Sequence, residues 1–346
     1  MTEPLRIASP SDFLELMPFL LGYTPENALV VHGITNVGLA GPVMALPLPE
    51  DPTQWRLIAE AVAPEFIHST RDRGIDIRDV VVCLYRNPQP GQSPEATAHL
   101  LGHMADWMID AFVSFGDAPV KLVLGIAGNQ WWDYSCHWPG CCEGEHLPAG
   151  DHPESITAQF RALGRTPGRS SSEIANEYRP THTNAARHRR VLDEVSADFL
   201  ARNRTPRGRL KDLRNGNRIG DEPAARIILG LQDRRARDRA LSWGPEEDLP
   251  YERQLWADLA RRCVPPYTEL APALLTLFAW VAWRQGDTAT ARLALREAMT
   301  IDSNYVLAQH LHQGLNQDVP VDRFLEVFGT TAVQDQAEDE AALRTL

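Results

Sequence analysis

The stretch that most constrains this chain is Asp79-Val80-Val81-Val82-Cys83-Leu84-Tyr85, an unbroken apolar run behind one acid. Successive strand residues face opposite sides of a sheet, so a strand wetted on one side must alternate apolar with polar. A run with no polar position reads as a strand buried on both faces, which requires cover on each side of its sheet. The neighbouring sequence supplies sheet partners and cover. Ala28 to Ile34 and Val43 to Leu48 read as strands, the second a hairpin partner or sheet neighbour of the first, and Pro119 to Ile126 reads as another. Between them, Asp51 and Pro52 open a helix with Trp55, Ile58, Ala59, Val62 and Phe66 at helical spacing. Ser93 and Pro94 open a longer one whose face is Ala98, Leu101, Met104, Ala105, Met108, Ile109 and Phe112. Strand, helix, strand, helix, strand over 28–127 is the α/β pattern, and it predicts a mostly parallel sheet covered by helices in the N-terminal half.

Ahead of this lies a short helix, Ser9 to Leu21. Ser9 stands at the N-cap and Pro10 in the first turn, where a missing N–H costs nothing, while Pro18 is expected to bend or stop it. Behind it comes the densest side-chain chemistry in the chain, Trp131-Trp132-Asp133-Tyr134-Ser135-Cys136-His137-Trp138-Pro139-Gly140-Cys141-Cys142-Glu143-Gly144-Glu145-His146. Gln130 to Ser135 suits a short strand, and Pro139-Gly140 marks a turn that sets Cys136 across from Cys141-Cys142. In an open parallel sheet such a loop lies near the carboxyl edge, where ligands bind.

Composition changes after Pro148. The expected division is an α/β sheet domain over 1–148 ending in the Trp/Cys-rich loop, a mainly helical region over 149–333, and an acidic flexible tail over 334–346. Within the helical region, Leu275, Phe278, Ala279 and Ala282, then Gly286, then Ala291, Leu295 and Ala298 follow the spacing of a tetratricopeptide helix–turn–helix. One unit and the first helix of a next fall short of the three or so that a solenoid needs, so a single tetratricopeptide-like hairpin is expected.

Several function classes are disfavoured. No glycine-rich phosphate loop, dinucleotide fingerprint or Gly-x-Ser-x-Gly elbow is present. No apolar run approaches the roughly 20 residues that cross a bilayer, and Met1-Thr2-Glu3-Pro4 has no basic region leading into an apolar stretch. A cytoplasmic protein without membrane contact is the expectation.

Three sets of residues remain as candidates. Cys136, Cys141, Cys142 and His146 carry the donor types of a zinc site, although adjacent cysteines tend to point apart and no second Cys-x2-Cys pair exists. The same cysteines also suit a buried, loop-shaping role, and Glu143 and Glu145 oppose a low-pKa thiol. In a chain of net charge −12, residues 161–240 hold 19 basic against 10 acidic residues. Arg187, Arg189, Arg190, Arg207 and Arg209 could therefore contact phosphates of a nucleic acid, or pair with the acidic flanks. The helical hairpin and aromatic loop offer surfaces to a protein partner or to a second copy in a homo-oligomer.

The chain resembles an actinobacterial family known as domain of unknown function 4192. The resemblance rests on Ile7-Ala8-Ser9-Pro10-Ser11-Asp12-Phe13-Leu14, on Pro18 through Val31, on Trp131 to Cys136 with Cys141-Cys142, and on Leu277 through Asp287. It implies a bacterial intracellular protein and assigns no activity, cofactor or catalytic residue. The expected function is thus an uncharacterised binding or protein-interaction module. The alternatives are a metal-dependent enzyme with its site at the Trp131–His146 loop, or nucleic-acid binding through the Arg-rich 187–239 region.

Overall fold

The computed structural model describes residues 7, 9–36, 38, 41–115, 118–136, 143–202, 219–242 and 245–329, with 198–202 described by backbone alone. The expected tail, 334–346, lies outside the described residues. By its contacts the chain divides into two compact units, Met1–Ser171 and Ser172–Leu346.

The first unit begins with α1 (Pro10–Leu21), closed at its start by a reciprocal capping box between Ser9 and Asp12. Pro18 does not stop it; the helix runs on for three residues and ends at Gly22, whose φ of 77° is a left-handed cap. The sheet comprises β1 (Ala28–Thr35), β2 (Val43–Pro47), β3 (Ile77–Arg86), β4 (Val120–Ala127), β5 (Gln130–Asp133) and β6 (Glu145–His146), in the order β2-β1-β3-β4-β5-β6. Helix α2 (Trp55–Asp72) leads into β3, and α3 (Pro94–Phe115) connects β3 to β4.

The sheet is mixed, which corrects the expectation of a mostly parallel one. Only β3 and β4 run parallel; β1–β2, β1–β3, β4–β5 and β5–β6 are all antiparallel. The reason is connection length. A parallel pair needs a crossover of a dozen residues or more, which α3 provides, whereas β1–β2 and β4–β5 are joined by turns too short for anything but hairpins.

One face of the sheet, with Leu29, Val31, Val80, Val82, Leu84 and Val123, packs on α2 and α3 through Trp55, Phe66, Leu101, Met104, Met108 and Phe112. The residues between them, Val30, Val81, Cys83 and Leu124, face the other side and are buried too, as the unbroken run of β3 demands. Arg86 ends β3 almost wholly buried, with its guanidinium donating to the carbonyl oxygens of Pro49 at 3.1 Å and Glu50 at 3.0 Å. It also lies 5.8 Å over the Trp55 ring. Helix α4 (Ile156–Ala162) joins α1 through stacked Phe19 and Phe160 rings, 4.2 Å apart, and a 2.7 Å bond from the Thr157 N–H to the Glu15 carboxylate.

The second unit is helical: α5 (Ser171–Ala175) at its border, then α6 (Ala185–Arg202), α7 (Asp221–Gly230), α8 (Arg234–Leu241), α9 (Leu249–Arg261), α10 (Ala271–Arg284), α11 (Thr288–Ile301) and α12 (Val306–Asn316). A last helical stretch covers 321–329. Buried on nearly every position from Ala271 to Trp283, α10 is the central helix, packed on α9 and α11. Arg253 of α9 bridges Glu177 at 3.1 Å and Asp287, the N-cap of α11, at 2.9 Å, and lies 5.5 Å over Phe278 of α10. This one side chain ties three elements together. No described helix is long and apolar enough to cross a membrane.

Candidate functional site

The Trp/Cys segment is built on the β4–β5 hairpin. Pairing of β5 with β4 sets Trp132 opposite Gly125 and Trp131 opposite Ile126, and both indoles are 7% exposed. Trp132 packs on Ala98 of α3 and on Ala127. Tyr134 lies on the same face: its hydroxyl donates to the Ala98 carbonyl at 2.6 Å, and its ring covers Gly125. A Cβ at Gly125 would collide with that ring, and one at Gly144 with the Trp132 indole. Beyond the strand, Ser135 Oγ accepts from the Val123 N–H at 2.6 Å, and the Asp133 carboxylate accepts from the Ser135 N–H at 2.8 Å. Asp133, Tyr134 and Ser135 each bond a backbone group, and the Tyr134 bond latches the hairpin to α3.

The two described members of the expected zinc set, Cys136 and His146, fall at different levels of this hairpin. Cys136 is half-buried and follows Ser135, which is level with Val123. His146 pairs with Gln130, the partner of Ala127, and its Nδ1 is 3.4 Å from Asn129 Nδ2. Val123 and Ala127 are four residues apart on β4, roughly 13 Å along a strand. Cys141, Cys142 and His137 lie outside the described residues. Among the described residues no group of three or more His, Cys, Asp or Glu is arranged to hold a metal. The other two described cysteines, Cys83 and Cys263, are buried; burial alone raises the Cys83 thiol to about 12, and burial with the nearby Glu269 carboxylate raises the Cys263 thiol. Neither has thiolate character at neutral pH.

The arginine-rich helix α6 is laced with carboxylates. Arg187 pairs with Asp221, Arg189 with Asp193 at 3.9 Å and Arg190 with Glu194 at 4.0 Å, the last two along the helix at i, i+4. A phosphate arriving here would compete with those partners. Arg207 and Arg209 lie outside the described residues. Beside the pairs, His188, Val191, Leu192, Asp221, Ala225, Ile228 and Arg262 line a shallow recess. Asp221 receives both Arg187 and Arg262, so the carboxylate joins α6, α7 and the end of α9. Burial lowers the His188 pKa, and the nearby Arg262 charge lowers it further.

Sequence reasoning passed over the third arrangement. Trp280 and Trp283 of α10, 1% and 8% exposed, meet edge to face at 5.9 Å. Phe328 stands 5.2 Å from Trp280, and Phe324 stands 5.2 Å from Trp283, so the 321–329 helix presents two rings spaced i, i+4 to the tryptophan pair. Gly314 of α12 leaves room for Phe324; a side chain there would collide with its ring. The available signal was Phe324-x3-Phe328 after Pro320, a single helical repeat ahead of an acidic tail.

A family model described as Domain of unknown function (DUF4192) matches residues 10–321. The chain belongs to the DUF4192 family. The match begins at the first residue of α1 and takes in the β4–β5 latch and α10 to α12, while Phe324 and Phe328 lie beyond its end. No curated protein and no solved structure matches the chain.

Proposed function

We propose that this DUF4192 member is a cytoplasmic protein-interaction module whose α10/α12 face receives an amphipathic helix. The observation that carries the reading is the docking of Phe324 and Phe328 on Trp280 and Trp283 above Gly314. Paired aromatic anchors one helical turn apart, seated on aromatic and small residues, are the usual way an apolar groove takes a helix. On this reading the 321–329 helix is the intramolecular occupant of a tetratricopeptide-like surface, and a partner helix with large apolar residues at i and i+4 would take its place.

The test compares the full chain with one ending at Gln317, each titrated with a peptide of residues 319–329 and followed by tryptophan fluorescence. The shortened chain should bind the peptide, the full chain at least about tenfold more weakly, and a Phe324→Ala/Phe328→Ala peptide not at all. A shortened chain that keeps its helical circular dichroism yet ignores the peptide overturns the proposal. If shortening unfolds the chain, the full-length Phe324→Ala/Phe328→Ala variant takes its place and is read the same way.

As a second reading we propose the metal site at the Trp131–His146 loop, with Cys136, Cys141, Cys142 and His146 as its donors. Near-stoichiometric zinc in anaerobically purified protein, lost on Cys136→Ser/Cys141→Ser, would support it. Metal-free protein with unchanged melting in chelator would sink it.

A further inference from the structure

Helix α3 carries an unusual solvent face. Between Pro94 and Phe115 it has no lysine or arginine. Its exposed stripe instead runs Glu95, His99, His103, Asp106 and Asp110, positions that recur at three or four residues and so share one side of the helix. The His99 and His103 rings stand 5.3 Å apart between centroids, and His103 is backed at 6.4 Å by the half-buried Trp107. The opposite side of α3 is locked into the core by Leu101, Met104, Ala105 and Met108, and by the Tyr134 bond to Ala98. The backbone that spaces the two imidazoles is thus held rigid before any ligand arrives.

We propose that His99 and His103 form a surface site for a divalent transition metal of the imidazole-preferring class, nickel, copper or zinc. Two imidazoles at i, i+4 reach one ion from the same side, while the three carboxylates of the stripe, with no cation on the helix to offset them, hold a negative potential that draws a dication. Among the described residues no third side chain is arranged to join them, so water fills the remaining positions. Hard oxygen-seeking ions such as magnesium gain nothing from imidazole and are excluded on donor chemistry. The site is separate from the cysteine loop, and it has two nitrogen donors where a structural zinc centre has four protein ligands.

The experiment is calorimetric titration of the full chain with nickel chloride, against magnesium chloride as the hard-ion control. It is run on the wild type and on His99→Gln, His103→Gln and His68→Gln, the last replacing a lone exposed histidine on α2. Any thiol site is common to all four proteins, so the difference between them isolates the histidines. Losing an outer partner of a metal ligand already costs about 10- to 100-fold, so either α3 variant should weaken one nickel site per chain by at least about tenfold. His68→Gln should leave the isotherm unchanged, and no variant should alter the metal-free melting curve. Equal nickel isotherms in the wild type and both α3 variants, or equal weakening by His68→Gln, overturn the proposal.

Discussion

The contact between Tyr134 and Gly125 yields the sharpest test of the β4–β5 latch. At Gly125→Ala the new methyl meets Tyr134 alone among its nearest neighbours, so the ring must leave its seat. That forfeits the 2.6 Å bond to the Ala98 carbonyl, worth about 1 kcal/mol net, and displaces a ring packed on the α2/α3 core. With overpacking in a fitted site costing about 1–3 kcal/mol, the single substitution should destabilise by about 2 kcal/mol. Tyr134→Ala removes the ring and should cost about 2–3 kcal/mol, below the range for a fully buried aromatic because Tyr134 is half-buried. In the double variant the methyl no longer has a ring to strike, and alanine is the better strand residue by about 0.5–1 kcal/mol. The double variant should therefore be no less stable than Tyr134→Ala alone, a coupling of about 2 kcal/mol. Equilibrium urea unfolding of the four proteins measures it. Additivity within about 0.5 kcal/mol would refute the reasoning, since independent sites add to that precision.

Three further outcomes follow from single side chains. Arg253→Ala removes the cation shared by the Glu177 and Asp287 carboxylates and should cost about 2–3 kcal/mol in urea unfolding, less than a fully buried pair; Arg253→Lys, lacking the planar fork, should recover little of it. Burial, helped by Arg296 and Arg292, lowers His312 from an ordinary 6.5 to about 4, so the folded chain binds fewer protons than the unfolded one between those values. Stability should fall as pH drops through that window, by about 3 kcal/mol in all, and His312→Gln should flatten the dependence; parallel curves for the two proteins would contradict it. Gly314→Val should drive Phe324 off its seat and make Trp280 and Trp283 more accessible to acrylamide quenching, with the α10–α11 helical signal kept.

Much of the secondary structure could be read from residue order alone. The β3 run, the helical periodicity of α2 and α3, the Ser9-Pro10 start of α1 and the Gly286 break between α10 and α11 are local signals, decided by side chains a few positions apart. The identity of the family was carried by such stretches as well. Strand direction was not legible, because the apolar pattern of a strand is the same whichever way it runs; chain reach decided it, through two short turns and one helical crossover.

The Trp/Cys segment is the clearest case of the difference. Sequence singled it out by the density of its cysteines, histidines and tryptophans, and placed it at the end of the sheet. Only the tertiary structure assigned Trp132 and Tyr134 to one face, matched Tyr134 to Gly125 and to the Ala98 carbonyl, and set Cys136 and His146 at different levels of the ladder. The same holds for Phe324 and Phe328, two ordinary residues until α10 brings Trp280 and Trp283 beneath them. Local chemistry determines which residues form an element, since its interactions close within a few residues. Which residues meet across elements is decided by packing over long separations, where every candidate pair competes with all the others and only the folded chain selects among them.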